Sequence, residues 1–113
     1  MDVPAIFKRK AVELAEKLQE RFPAKLMFVV PAVQGCDEDE LFEAYRENVH
    51  VPHGQRVLAR DETFFLTSED IQDPMQMIPM LRGLWGGLGD QDKEAIWRYL
   101  EMFEKLMARG SRA

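Results

Sequence analysis

Between residues 90 and 109, large apolar side chains return every third or fourth position, and no strand can satisfy that spacing. Leu106, Tyr99, Phe103, Ile96, Met107 and Leu100 project onto one broad arc, while Glu94, Arg98, Glu101, Lys105 and Arg109 line the opposite side. One face is apolar and the other is wet. Glu94 precedes Arg98 by four and Glu101 precedes Lys105 by four, the order that supports a helix by roughly 0.2–0.5 kcal/mol per pair. Just upstream, Gly86-Gly87-Leu88-Gly89 interrupts a second apolar segment. Left-handed glycines stopping one helix, and Asp90 capping the next, predict a helical hairpin of residues 79–87 against 90–109.

Trp97 falls off the main arc, on the flank that also carries Lys93 and Glu104. It needs a second neighbour, which is either another part of the chain or a partner, because Trp is enriched at binding hot spots.

A chain of 113 residues has room for one modest core, so residues 1–113 are expected to form a single helical domain. At 46% hydrophobic residues the chain is too apolar to stay disordered, despite 31% charge. The longest apolar run, residues 26–33, is interrupted by Pro31 and falls short of the roughly 20 residues that cross a bilayer. The start, with Lys8-Arg9-Lys10, lacks the apolar core of a secretory signal. Cys36 is the single cysteine, which excludes an intrachain disulfide and fits a reducing, intracellular compartment, cytoplasmic or nuclear.

Asp2 is a suitable cap for a first helix, and Phe7, Ala11, Leu14, Leu18 and Phe22 follow at helical offsets until Pro23 stops it. Residues 25–30 read equally as a buried strand or as a short buried helix beginning at Pro23. Helix is preferred, because a lone strand leaves its edges unpaired and the other strand candidates, 56–59 and 63–66, are less regular. Asp37 followed by Glu40 is an acidic capping box, with Leu41, Phe42, Tyr45 and Val49 on one side of the helix it opens. Asp37-Glu38-Asp39-Glu40 suits a helix N-terminus by its charge, and it lacks the alternating ligands of a calcium loop.

Residues 49–66 are the least regular. Phe64 and Phe65 are expected to be buried plugs, and Arg60 and Asp61 to form a structural clasp with each other or with loop carbonyls. Thr67, Ser68 and Asp73-Pro74 are helix-start signals, and Pro79 implies a kink within residues 75–85 or two short helices meeting there.

The formal net charge of −5 is concentrated in residues 37–47, which hold six acids against Arg46. The only basic run, Lys8-Arg9-Lys10, is a small footprint for nucleic acid, which leaves weak nucleic-acid binding as a second alternative. Cys36, His50 and His53 are the only thiol and imidazole groups, and a small hydrolase or metal protein would have to use them. Structural zinc wants four ligands, and a Cys-His nucleophile wants a third group to orient the imidazole. No phosphate loop, dinucleotide fingerprint or nucleophile elbow is present, and no motif calls for a cofactor.

The stretch Arg60-Asp61-Glu62-Thr63-Phe64-Phe65, then Leu84-Trp85, then Asp92-Lys93-Glu94-Ala95-Ile96-Trp97-Arg98-Tyr99-Leu100, resembles small helical proteins of nucleocytoplasmic large DNA viruses of algae and amoebae, or algal relatives of them. The resemblance covers the C-terminal half. It implies a helical fold and carries no activity with it.

These readings converge on an all-α domain of about five helices closed by the C-terminal hairpin, serving as a non-catalytic protein-interaction module. The expected partner is another protein or a second copy, with no membrane contact. Its candidate surface combines Trp97 and Trp85 with the adaptable side chains of Met75, Met77 and Met80. Asp39, Glu43 and Glu47 supply an acidic strip that steers a basic partner.

Overall fold

The computed structural model describes residues 2–24, 27–63 and 77–110, with side chains from residue 81 onward in the last span. Helix α1 (Val3–Arg21) starts where Asp2 accepts a hydrogen bond from the Ala5 amide, and it buries Phe7, Ala11, Leu14 and Leu18 as their spacing requires. It ends at Phe22, before Pro23.

Helix α2 (Val29–Gly35) takes in only Val29 and Val30 of the helix expected over 25–30; residues 27 and 28 form a turn, and residues 25 and 26 lie outside the described residues. Pro31 explains the late start, since a proline is tolerated in a first turn, where no ladder amide is lost.

Asp37 caps α3 (Glu38–Tyr45), accepting from the amides of Asp39 and Glu40, both at 3.1 Å. Beyond it, residues 49–58 are not irregular as expected. The chain continues through a π-helical turn (Arg46–His50) into α4 (Val51–Leu58). Pro52 has no amide to give, and its ring crowds the carbonyl four residues back, so an unbroken α-ladder is impossible across this point. The wider turn, in which the Val51 amide donates to the Arg46 carbonyl, lets the helix pass. The strand candidate at 56–59 falls largely within α4.

Helix α4 ends in a Schellman motif: the Asp61 amide donates to the Arg56 carbonyl at 2.9 Å and the Arg60 amide to Val57 at 3.0 Å. Arg60 takes the left-handed conformation there, φ 54°, where glycine is the usual residue. Its side chain is the reason it stays. The guanidinium reaches across to the C-terminal helix, donating to Glu101 Oε1 at 2.9 Å and gripping both oxygens of Glu94. Arg60 and Asp61 therefore form a clasp, but not with each other; Asp61 pairs with Arg56 at 3.4 Å. Glu94 also accepts from Arg98 as its spacing predicted, whereas Glu101 turns to Arg60 instead of Lys105.

Helix α5 (Met77–Leu84) holds Pro79 in its first turn, so no kink is needed. It tightens into a 3-10 turn (Trp85–Gly87), and Leu88 is extended. Among the described glycines none has positive φ, so the break uses a tightened turn where left-handed glycines were expected. Helix α6 (Asp90–Gly110) counts Asp90 as its first residue, and the Gly89 carbonyl opens its ladder by accepting from Lys93. Phe64, Phe65, Thr67, Ser68 and the Asp73-Pro74 start lie outside the described residues.

Counting the unbroken run 38–58 as one, five helices stand among the described residues, with no strand. α1 lies against α2, α3 and α6, and α6 against α4. Phe7, Tyr45 and Phe103 meet at the centre, with ring centroids 4.8–5.6 Å apart, and Phe42 closes edge-on to Phe7. Each aromatic buries about 150–250 Å². The radius of gyration, 13.1 Å, is what a single compact domain of this length gives, roughly 13 Å.

Candidate functional site

The described part of the core holds one buried charged residue, Glu104, 4% exposed on α6. Burying a carboxylate is costly unless its oxygens are satisfied. Two neighbours on the opposite run do this. The Tyr45 hydroxyl donates to Oε2 at 2.9 Å, and His50 Nδ1 stands 2.7 Å from Oε1. A carboxylate oxygen only accepts, so the proton of this bond is carried by Nδ1.

The π turn positions this pair. It turns the chain through less rotation per residue than an α-helix, so Tyr45 and His50, five residues apart, come to the same side with Val49 between them. One turn further on, Gly54 passes so close that a Cβ there would stand 2.7 Å from Glu104 Oε1 and 3.3 Å from His50 Nδ1. A glycine inside a helix normally weakens it; here it makes room for the carboxylate. A cavity of about 300 Å³ opens beside the pair, walled by Val51, Pro52, Gln55, Arg56 and Leu58. The Arg56 guanidinium donates to Thr63 Oγ1 at 2.8 Å, in addition to its contact with Asp61, and lies 3.4 Å from His53 Nδ1. Burial, then the Arg56 charge, holds the His53 imidazole below its ordinary 6.5.

A larger groove, about 530 Å³, runs between α1 and the start of α6 and is lined by Lys17, Gln91, Glu94, Arg98 and Tyr99. It is open, and its charges are of both signs. Lys17 stands over the Tyr99 ring at 5.2 Å and Arg98 pairs with Glu94. Its buried lining residue, Tyr99, donates its hydroxyl to Glu13 at 3.4 Å.

The surface expected around Trp97 does not form. Trp97 is 5% and Trp85 3% exposed, and the two indoles pack edge-on at 5.5 Å inside the chain. Each supplies the second neighbour that the other lacked in sequence. Trp85 Nε1 donates to Glu62 at 2.9 Å, and Lys93 covers the same ring. Met75 lies outside the described residues, and Met77 and Met80 are placed only as backbone of α5. Asp39 and Glu47 are exposed, while Glu43 is held by Arg46 at 2.6 Å.

The thiol and imidazoles are not assembled into a metal site: among the described residues no three of His, Cys, Asp and Glu are placed to hold an ion. Cys36 Sγ donates to the Ala32 carbonyl at 3.1 Å. In the basic run, Lys8 donates to the Cys36 carbonyl at 2.6 Å and Lys10 pairs with Glu13 at 3.2 Å, which leaves Arg9 as the cation most exposed to solvent. Among the described residues no helix is long and apolar enough to cross a membrane.

Glu104 escaped sequence reading because a glutamate on the flank of an amphipathic helix is ordinarily solvated. The signal available was Gly54, an isolated glycine two residues after Pro52, since a glycine inside a helix marks a close approach. Set against protein-family models, curated proteins and solved structures, the chain matches none.

Proposed function

We propose that the protein is a non-catalytic protein-interaction module that docks a partner protein on the outer face of α4. One observation carries this reading. Val51 is 73% and Leu58 53% exposed, seven residues apart and so on one stripe of the helix, at the edge of the cavity beside His50 and Glu104. Helix α4 already buries Val57 and Gly54 inward, so these two side chains contribute nothing to the core. Single exposed apolar side chains are common, but two on one stripe of a helix at the rim of a cavity support a binding surface there.

This moves the contact away from Trp97, whose face is occupied from within, while keeping the acidic strip. Exposed Asp39 and Glu47 lie on the run leading into α4 and steer a basic partner toward it. The single cysteine supports an intracellular setting. The motif likeness in residues 60–65 and 92–100 supports a large DNA virus or its algal host as that setting.

The test compares the parent chain with a Val51→Asp, Leu58→Asp double variant, using size-exclusion with light scattering on protein purified with its partners. The parent is expected to run as a complex or as a multimer. The variant is expected to run as a monomer, with folding stability within about 0.5 kcal/mol of the parent, as for surface changes. A parent that is strictly monomeric and retains nothing refutes the reading.

A further inference from the structure

On the His50 ring one nitrogen is occupied and the other is open. Nδ1 gives its proton to Glu104, and among the described residues nothing bonds Nε2, on the far side of the ring. The side chain keeps 30% of its surface exposed and lines the cavity of about 300 Å³. The Nδ1 proton is present in the neutral and in the charged imidazole alike, so Nε2 either accepts a hydrogen bond or donates one.

A group able to do both serves Nε2 in either state. An ammonium or an indole N–H only donates and a carboxylate only accepts, whereas a hydroxyl or an amide does both. The rest of the lining narrows the choice. Val51, Pro52 and Leu58 are apolar, and a short alcohol or amide side chain would leave them bare. Arg56 has its N–H groups directed to Asp61, Thr63 and His53, and a guanidinium so held can still take an aromatic ring against its face. A tyrosine side chain has each part: a hydroxyl tip, a flat apolar body and little rotamer freedom to lose. A cavity of about 300 Å³ is at the small end of ligand pockets, the scale of one such side chain.

We propose that this cavity receives a tyrosine side chain of the docked partner, its hydroxyl hydrogen-bonded to His50 Nε2 and its ring packed on Val51, Pro52 and Leu58. The proposal rests on α4 being the docking face, and it names what the partner presents there. The exposed acids Asp39 and Glu47 act on the partner at a distance, whereas His50 acts at contact and on a neutral group. The basic segment that is steered and the side chain that is anchored are therefore separate parts of the partner.

A small phenol tests the cavity without the partner. p-Cresol, the tyrosine side chain as a free molecule, and toluene, which lacks the hydroxyl, are titrated separately into the full chain. Backbone amide NMR shifts and proton–nitrogen correlations of the imidazole rings report the binding. p-Cresol is expected to shift the amides of Val51, Gly54, Gln55 and Leu58 and to move the His50 Nε2 signal. Toluene is expected to leave Nε2 in place and to bind about three- to tenfold more weakly, the ratio one neutral hydrogen bond supports. Because a hydroxyl serves both states of the ring, the preference is expected at about pH 5.5 and at about pH 8, either side of the ordinary imidazole value. In His50→Asn, whose amide can donate to Glu104 but has no atom where Nε2 stands, the preference is expected to vanish. Equal affinity for p-cresol and toluene in the parent, a preference at one pH alone, an unmoved Nε2 signal, or shifts centred elsewhere overturns the proposal whether or not the variant folds. If p-cresol fails while the Val51, Leu58 variant still releases its partner, the tyrosine assignment falls and the docking face stands. If p-cresol binds as expected and no partner depends on Val51 and Leu58, the docking face falls and with it the source of the tyrosine, and the cavity stands as a phenol site.

Discussion

Replacing Gly54 with alanine sets two effects of opposite sign against each other. In an ordinary helix interior, Gly→Ala stabilises by about 0.8–1 kcal/mol, because glycine loses more backbone freedom on folding. At residue 54 the added methyl would lie 2.7 Å from Glu104 Oε1, well inside contact distance. The carboxylate is the end of a flexible side chain and could swing away, but it is tied at 2.7 Å to His50 and at 2.9 Å to Tyr45. At 4% exposure, water is not at hand to replace those bonds. Weakening a hydrogen bond to a charged group costs about 1.5–3 kcal/mol, and overpacking costs about 1–3 kcal/mol. The loss exceeds the helix gain, and Gly54→Ala is expected to destabilise by about 1–3 kcal/mol. Urea unfolding followed by the fluorescence of the buried Trp85 and Trp97 pair measures it. The same substitution made in a Glu104→Ala background, where the obstructing oxygen is gone, should become neutral or stabilising, a coupling of about 1 kcal/mol or more. A stabilising Gly54→Ala in the parent, or strict additivity of the two changes, would refute the close approach on which the site is built.

Two further outcomes concern the clasp and the ionisable groups around α4. Arg60→Gly gives up the grip on Glu94 and Glu101 but relieves the left-handed backbone, whereas Arg60→Ala gives up the grip and keeps the strain; the glycine variant should melt higher than the alanine one, and the reverse order in thermal scans would count against the Schellman reading. His53 is depressed in the folded chain by burial and by Arg56, so the unfolded chain takes up its proton more readily. Its share of stability is present above the unfolded value of 6.5 and is lost as pH falls below that. Asp61 is lowered by its bonds from Thr63, Glu62 by Trp85 and Lys93, and Glu94 by Arg60 and Arg98, so their shares are lost at lower pH, below the ordinary 3.8 and 4.5. Urea midpoints should fall in two stages on acidification, and His53→Asn should flatten the upper one; an unchanged slope in that variant removes His53 as its source.

Helices that bury one face are legible along the chain. Phe7, Ala11, Leu14 and Leu18 in α1, and Ile96, Tyr99, Phe103 and Met107 in α6, recur at a spacing that only a helix can turn to one side. The caps at Asp2 and Asp37 and the stop at Pro23 are legible for the same reason, since each acts on amides within a turn of itself. Where two local rules disagree, reading along the chain goes astray. Pro52 reads as an interruption, yet a π turn carries the helix through it, and Pro79 reads as a kink, yet the helix begins only two residues earlier.

Pairings between residues far apart in sequence come from the folded core alone. Trp97 looks like an anchor for a partner until Trp85 is found against it, and Arg60 looks like a loop residue until Glu94 and Glu101 are found to hold it. Glu104 sits 59 residues from Tyr45 and 54 from His50, with Gly54 between them and nothing in the periodicity of either helix to connect them. Periodicity states which side of a helix is dry. Which neighbour dries it depends on how the helices cross, and that is settled by packing the whole core at once.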